Sequence, residues 1–220
     1  MNIEPVAFFK SPLKEKFGIP RQAGLVSSLS GEVRFVAPYD APEALRGLEE
    51  FDYCWLVWGF SLNPVAEFKP TVRPPRLGGN KRVGVFASRS PFRPNGLGLS
   101  GVKIERIDNG SLFVSGADLA DGSPVYDVKP YIEYADSRVG IRSGFVDYTT
   151  WSPLEVQIPE HIVSELGAHK AAVLTDLLAQ DPRPQYQDNP ERVYGLIFAP
   201  YNIKFRAEGQ KVFVLSIEKC

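Results

Sequence analysis

Two turn signals constrain the fold of this chain more than any other feature: Asp108-Asn109-Gly110 and Asp121-Gly122. Both call for residues that tolerate positive φ, the chemistry of a tight hairpin between antiparallel strands. Short apolar or alternating runs flank them at 102–107, 112–117, 125–128 and 131–134, with similar runs at 6–10, 31–36, 53–60 and 83–87. The 53–60 run (YCWLVWGF) is nearly continuous, which suits a strand buried on both faces with its aromatics in the core. One helix is expected to start near Asp40: Asp40 and Glu43 have capping-box spacing, Pro42 fits the first turn, and Leu45, Leu48 and Phe51 form an apolar stripe. Many short strands with one helix predict a mainly β or α+β protein, an antiparallel sheet or small barrel and not alternating β-α-β units.

The pattern changes after Asp136-Ser137. Residues 159–180 place Ile162, Val163, Leu166, Val173, Leu174, Leu177 and Leu178 at helical spacing, and Pro182 stops the run. Alternating runs at 193–198, 203–205 and 212–217 read as a three-stranded meander. The expected organisation is therefore a β-barrel domain over 1–140 and a smaller α+β domain over 141–220.

Gly96-Leu97-Gly98-Leu99-Ser100-Gly101 satisfies the G-x-G-x-x-G spacing of dinucleotide-binding folds. That fingerprint works only between a strand and a helix. Here a proline-containing loop precedes it and a strand-like segment follows, so a Rossmann sheet is not expected. The three glycines serve either close strand packing or close approach to a ligand, and the sequence leaves both open.

Charge is segregated. From Lys69 to Lys103 there are eight basic residues and no acidic one, although the chain as a whole nets −1. The remaining 17 basic residues face 26 acidic ones, so the body outside this ribbon carries about −9. Such a field is expected where a polyanion docks. A solvated surface loop would also explain the charge. It would not explain Pro70, Pro74, Pro75, Pro91 and Pro94, which stiffen the same stretch.

Within the ribbon, Arg89 and Arg93 flank Ser90-Pro91-Phe92. A guanidinium can grip a carboxylate or phosphate through two parallel hydrogen bonds, although pairing with Asp118 or Asp121 is the plainer alternative. Asp118-Leu119-Ala120-Asp121 is either a plain hairpin link or a pair of carboxylates set to meet a nucleoside's hydroxyls and amines. Asp127 and Lys129 fall on one side of a strand and Val128 on the other, as an ion pair or as a catalytic pair. The polar segment 14–25, broken by Gly18, Pro20 and Gly24, is a long loop of the kind that carries function. Only Cys54 and Cys220 are present, the N-terminus lacks a signal-peptide pattern, and no window is long enough to span a membrane. A cytoplasmic protein is expected. His161 and His169 sit apart from cysteines and carboxylates, so no metal site is expected.

Taken together, SPLKEKFGIPRQAGL (11–25), RPPRLGGNKRVGVFASRSPFRPNGLGLS (73–100), DLADGSPVYDVKPY (118–131) and LAQDPRPQY (178–186) resemble the TsaA/TrmO family of tRNA methyltransferases, in family order along nearly the whole chain. The resemblance implies an S-adenosylmethionine-dependent enzyme on a small β-barrel, acting as a homodimer on N6 of threonylcarbamoyl-adenosine beside the tRNA anticodon. By position, Pro20, Arg21, Gln22, Ser61, Leu62, Arg89, Leu99, Asp118, Leu119, Ala120 and Asp121 would contact the cofactor. Relatives usually carry His and Gln where this chain has Ser61-Leu62, so that contact would be through backbone, or the pocket altered. Asp127 is the candidate proton acceptor with Lys129 and Tyr131 beside it. Arg73, Arg76, Lys81, Arg82, Arg93 and Asn95 would face the tRNA. A non-catalytic RNA-binding barrel is the competing reading.

Overall fold

The computed structural model describes residues 2–63, 68–78, 81–183 and 189–220, with the backbone but not the side chain of Arg76. The first half closes into a barrel. Its strands are β1 (Ala7–Lys10), β2 (Ser30–Phe35), β3 (Tyr53–Gly59), β6 (Leu97–Asp108), β7 (Ser111–Ser115) and β8 (Pro124–Pro130). They run in the order β1-β2-β7-β6-β3-β8, antiparallel at every seam. Two further strands, β4 (Thr71–Val72) and β5 (Val83–Gly84), form a separate two-stranded ribbon.

Closure gives every barrel strand one inner face, so period-two alternation decides what is buried. On β3, Cys54, Leu56 and Trp58 point inward while Tyr53 stays exposed and Trp55 and Val57 are half-covered. The expectation of burial on both faces fails here because, among the described residues, no helix layer is packed over the outer face, and Tyr53 is left 46% exposed. The inner residues pack with Phe9, Leu112, Val114, Leu119 and Val125 into one core.

Strand β6 begins at Leu97, five residues before the apparent start at 102, because its glycines are partners for aromatic rings and not strand breakers. A Cβ on Gly98 would lie 2.4 Å from Cε2 of Trp58, and one on Gly101 would lie 3.3 Å from Cζ3 of Trp55. At both positions, close strand packing accounts for the glycine. Gly96, at φ +59°, instead serves the turn before the strand.

Several local expectations are corrected. The helix near Asp40 is the single turn α1 (Pro42–Leu45), with Ala41 at the N-cap and no side-chain capping bond, so the capping box does not form. The 83–87 run is a strand only at Val83–Gly84 and tightens into a 3-10 turn over Val85–Ala87. Residues 131–134 form no strand; they lead into the turn α2 (Glu133–Asp136), where Asp136 Oδ2 accepts from the Ile132 amide at 2.8 Å and from Trp55 Nε1 at 3.1 Å.

The second half contains β9 (Glu155–Gln157), α3 (Glu160–Leu166), α4 (Ala168–Ala179), β10 (Tyr194–Phe198), β11 (Tyr201–Glu208) and β12 (Lys211–Lys219). The expected long helix is broken at Gly167, whose φ of +79° and ψ of 153° leave helical space. The expected meander gains a fourth strand, β9, parallel to β12. Apolar faces of α3, α4 and this sheet form a second core around Ile162, Leu174, Leu178, Leu196, Ile203 and Phe205.

That second core also contains Leu13, Val26 and Leu29 from the segment joining β1 to β2. The Ala199 amide donates to Pro12 O at 2.9 Å, and Ser28 Oγ donates to Asp176 Oδ2 at 2.7 Å. Residues 11–29 thus leave the barrel, pack into the other unit and return.

Candidate nucleotide-binding site at the barrel mouth

Segments far apart in sequence meet where β6 begins and β7 ends. Ser100 faces inward, 1% exposed, and Trp58 packs over Gly98 beside it. Trp58 Nε1 donates to Ser100 Oγ at 2.9 Å, and Ser100 Oγ donates onward to Asp118 Oδ1. Burial pushes the Asp118 carboxyl above the usual carboxylate range. The Ser100 hydrogen bond opposes that shift, as do the amides of Asp118 and Ala23 and the nearby Arg89 charge. A half-buried carboxylate held this way keeps accepting capacity for one further donor.

The segment containing Pro20, Arg21 and Gln22 lies over the same corner. Pro20 is buried, Gly24 N donates to Gly116 O at 2.8 Å, and Arg89 Nη1 donates to Gln22 Oε1 at 2.6 Å. Arg89 therefore bridges the basic ribbon to this loop. Ser61 and Leu62 follow β3 and are exposed, next to the Gly96 turn through the Phe60 N to Gly96 O bond of 2.9 Å. Lys16 Nζ donates to Asn63 Oδ1 and sits 5.4 Å from the Phe92 ring centre. Leu119 and Ala120 are buried. Asp121 is turned elsewhere, its Oδ1 accepting from the Ser11 amide at 3.1 Å.

Leu99 faces the opposite side of β6 from Ser100 and is 58% exposed. Across the outer face of the barrel it sits level with Val57 and Asp127. In the next row lie Gly101, Trp55 and Lys129. A bulge between Val57 and Trp58 leaves Tyr126 without a partner immediately before Asp127, and bulges re-aim neighbouring side chains. Lys129 Nζ approaches Asp127 Oδ2 at 2.8 Å, with side-chain exposures of 66% and 45%. An ion pair this exposed contributes at most about 1 kcal/mol. Tyr131 packs against Trp55 at 5.4 Å and Tyr53 at 6.4 Å between ring centres. Among the described residues no hydrogen bond or ion pair joins Asp127 to the Asp118 cluster.

Of the ribbon residues, Arg73, Lys81, Arg82 and Asn95 are exposed, and Arg82 Nη1 donates to Thr71 Oγ1 at 3.2 Å. Arg93 braces its own turn, donating to Ser88 O at 2.6 Å with its guanidinium 5.8 Å from the Phe86 ring centre. Neither Arg89 nor Arg93 forms an ion pair among the described residues. The Arg76 side chain, Gly79, Asn80 and residues 184–186 of the last motif lie outside the described residues. Also among the described residues, no group of three His, Cys, Asp or Glu could hold a metal ion, and no helix is long and apolar enough to cross a membrane.

Sequence reasoning missed Ser100, Trp58 and the Ala23 amide. Ser100 carried a faint signal, a lone hydroxyl on the inward parity of an apolar strand. The amide carried none. Chemically the corner offers a carboxylate for hydroxyls or an amine and a guanidinium for a carboxylate, while Leu99 on the outer face of β6 and Leu62 and Phe92 in the loops beside its start are exposed apolar side chains that could meet a flat ring. These groups fit an amino-acid-bearing nucleoside such as S-adenosylmethionine.

The sequence model of the tRNA-methyltransferase O N-terminal domain matches residues 8–137, and that of the TrmO C-terminal domain matches residues 152–220. The chain is 37% identical, over an alignment of 228 positions that covers 97% of each protein, to the tRNA (adenine(37)-N6)-methyltransferase of Escherichia coli K12. It is 41% identical over 204 residues to a putative S-adenosylmethionine-dependent methyltransferase, RcsF, of Pseudomonas aeruginosa, covering 89% of this chain and 87% of that one. A crystal structure of TrmO from P. aeruginosa superposes with a TM-score of 0.83 at 32% identity, covering 100% and 97% of the two chains.

Proposed function

This chain belongs to the tRNA-methyltransferase O family, and on that premise we propose that it transfers a methyl group from S-adenosylmethionine to N6 of adenosine 37 in tRNA, with N6-threonylcarbamoyladenosine as the modified base. The observation that carries the reading is the convergence of residues 22–23, 89, 100 and 118 on one barrel corner beside an exposed basic ribbon. The division into a catalytic barrel over 1–140 and an α+β unit over 141–220 belongs to the same proposal, as does a cytoplasmic location.

S-adenosylmethionine, when bound, supplies a methyl group already activated by the sulfonium charge. The protein's task is alignment and proton handling. Arg89 and the Pro20–Gln22 segment hold the carboxylate end and Asp118 accepts from hydroxyls or the amine, with Leu99 and Ser61-Leu62 against the ring. Asp127 lies two strands from Leu99, about 10 Å at the usual strand spacing, room for a base between them. The adenine amine loses a proton on methylation, and Asp127 is the acceptor. Lys129 orients it and meets the negatively charged threonyl carboxylate, and Tyr131 fixes the end of the strand. Arg73, Arg76, Lys81, Arg82, Arg93 and Asn95 hold the anticodon stem-loop, whose adenine is already largely unpaired.

The enzyme works as a homodimer in this reading. Val139, 93% exposed, and Ile141, 64% exposed, are apolar side chains that a monomer leaves in water; light scattering at micromolar concentration tests this. Incubation with labelled cofactor and tRNA with or without the threonylcarbamoyl group tests the activity. Transfer only to the modified tRNA is expected. RNA binding without transfer would leave a non-catalytic module. Asp127→Asn should keep cofactor affinity and lower turnover about 100-fold or more; wild-type turnover would remove Asp127 from the mechanism.

A further inference from the structure

The segment that carries Pro20, Arg21 and Gln22 is gripped by the C-terminal unit, through a turn whose side chains are unusually well held for a surface connection. Helix α4 ends at Ala179, and the Asp181 amide closes the end by donating to Leu178 O at 3.1 Å. Asp181 then takes a left-handed conformation, φ +48°, uncommon outside glycine though tolerated by Asp, and its surroundings can fix it there. They do. Both carboxylate oxygens of Asp181 face Arg183: Oδ1 accepts from Nε at 2.7 Å and from the Arg183 amide at 3.3 Å, and Oδ2 accepts from Nη2 at 3.0 Å. The two side chains are only 15% and 10% exposed. A two-pronged pair with this little water around it is geometrically stiff.

The stiffness has a target. With the turn in this shape, the carbonyls of Asp181 and Arg183 point at Arg21, whose Nη2 donates to them at 3.0 and 3.5 Å. The Arg21 guanidinium is thus directed at the C-terminal turn, while its neighbour Gln22 receives Arg89 and its neighbour Pro20 is buried. Leu13, Val26 and Leu29 anchor both ends of the same segment in the second core.

We propose that the Asp181–Arg183 turn is a positioning element for the cofactor loop, acting through Arg21, and that this makes the C-terminal unit a determinant of cofactor affinity. The inference rests on the reading of residues 20–22 as part of the cofactor site. Asp181 and Arg183 are positioning residues and not catalytic ones.

The test is a double-mutant cycle on the full chain, read by calorimetric titration with S-adenosylmethionine. Arg21→Gln and Arg183→Gln should each weaken binding at least tenfold, and Arg183→Gln, which lies outside the cofactor site, should keep turnover at saturating nucleotide within twofold of wild type. The double variant should bind no worse than the weaker single, because both changes cut one path. Losses that multiply, or wild-type affinity in Arg183→Gln, would overturn the proposal. Arg183→Lys keeps the charge without the two-pronged pairing and guards against misfolding; it should fall between wild type and Arg183→Gln. Hydrogen exchange of the ligand-free proteins is the second readout: amides of residues 17–24 should exchange at least tenfold faster in Arg183→Gln, and unchanged exchange would overturn the coupling. A wild type that binds no nucleotide would refute the function, and loop exchange would then decide the coupling by itself.

Discussion

Replacing Gly98 with alanine is the sharpest probe of how the barrel is tied to its site. The new Cβ would lie 2.4 Å from Trp58 Cε2, 2.7 Å from Cζ2 and 2.8 Å from Nε1. Carbon atoms in contact prefer about 3.5–4.0 Å, so a rigid indole must move by about 1 Å. Trp58 is 5% exposed and has little room to do so. Overpacking of this kind costs about 1–3 kcal/mol. The shift also strains the Trp58 Nε1 to Ser100 Oγ bond of 2.9 Å, and a buried donor left unmade adds about 1–3 kcal/mol. The sum, about 2–6 kcal/mol, corresponds to a fall of roughly 4–24 °C in the barrel's melting temperature at the sensitivity of a chain this size. Scanning calorimetry with near-ultraviolet circular dichroism, which reports the Trp58 environment, measures both parts. Gly84→Ala is the control: nothing lies within 4 Å of its Cβ and its φ is −57°, so its effect should stay within about 0.5 kcal/mol. Gly101→Ala, at 3.3 Å from the half-exposed Trp55 ring, should fall between them. Equal stabilities for Gly98→Ala and Gly84→Ala would refute the ring-over-glycine account of β6. Because Ser100 also holds Asp118, Gly98→Ala should weaken nucleotide binding as well.

Burial raises the Asp118 pKa in the folded chain. The folded state therefore binds that proton more tightly than the unfolded state, and the stability this contributes is present below about pH 4 and lost as pH rises through the folded value. Asp118→Asn should consequently gain stability relative to wild type between pH 4 and pH 7 while losing nucleotide affinity; denaturant titrations at the two pH values check it, and a relative loss at pH 7 would contradict it. Burial likewise pushes the Cys54 thiol up to about 12, while Cys220 is exposed. An aromatic disulfide reagent should therefore titrate one thiol in the native protein and two after unfolding. Lys81→Gln and Arg82→Gln should each reduce the salt dependence of tRNA binding by about one in log–log slope if each neutralises one phosphate. A slope unchanged from wild type would remove these side chains from the RNA surface.

Much of the fold was legible along the chain. Asn109-Gly110 and Asp121-Gly122 marked the ends of β6–β7 and the approach to β8 because positive φ is a local requirement that few residues meet. The count of short strands predicts an antiparallel sheet or a small barrel, and the family resemblance selects the barrel. Gly96–Gly101 opens a strand and no Rossmann turn, as its flanks predict, but β6 starts at Leu97 and not at 102. Glycines depress strand propensity locally, and only the facing rings of Trp55 and Trp58 explain them. The Asp40 capping box failed for a related reason: spacing permits the bond, while the chain turns at Gly47 after one helical turn.

What the sequence determined alone is therefore local and chemical: turn positions, the parity of Asp127, Val128 and Lys129, the basic ribbon, and motifs specific enough to indicate the family. The tertiary structure decided which of those pieces meet. It brought Ser100 and the Ala23 amide to Asp118, set Asp127 on the outer face level with Leu99, and sent residues 11–29 into the second core, where Arg21 finds the Asp181–Arg183 turn. Contacts across 18 to 162 residues depend on barrel closure and on which apolar side chains share a core. Those are properties of the whole packed chain, carried by no single stretch of it.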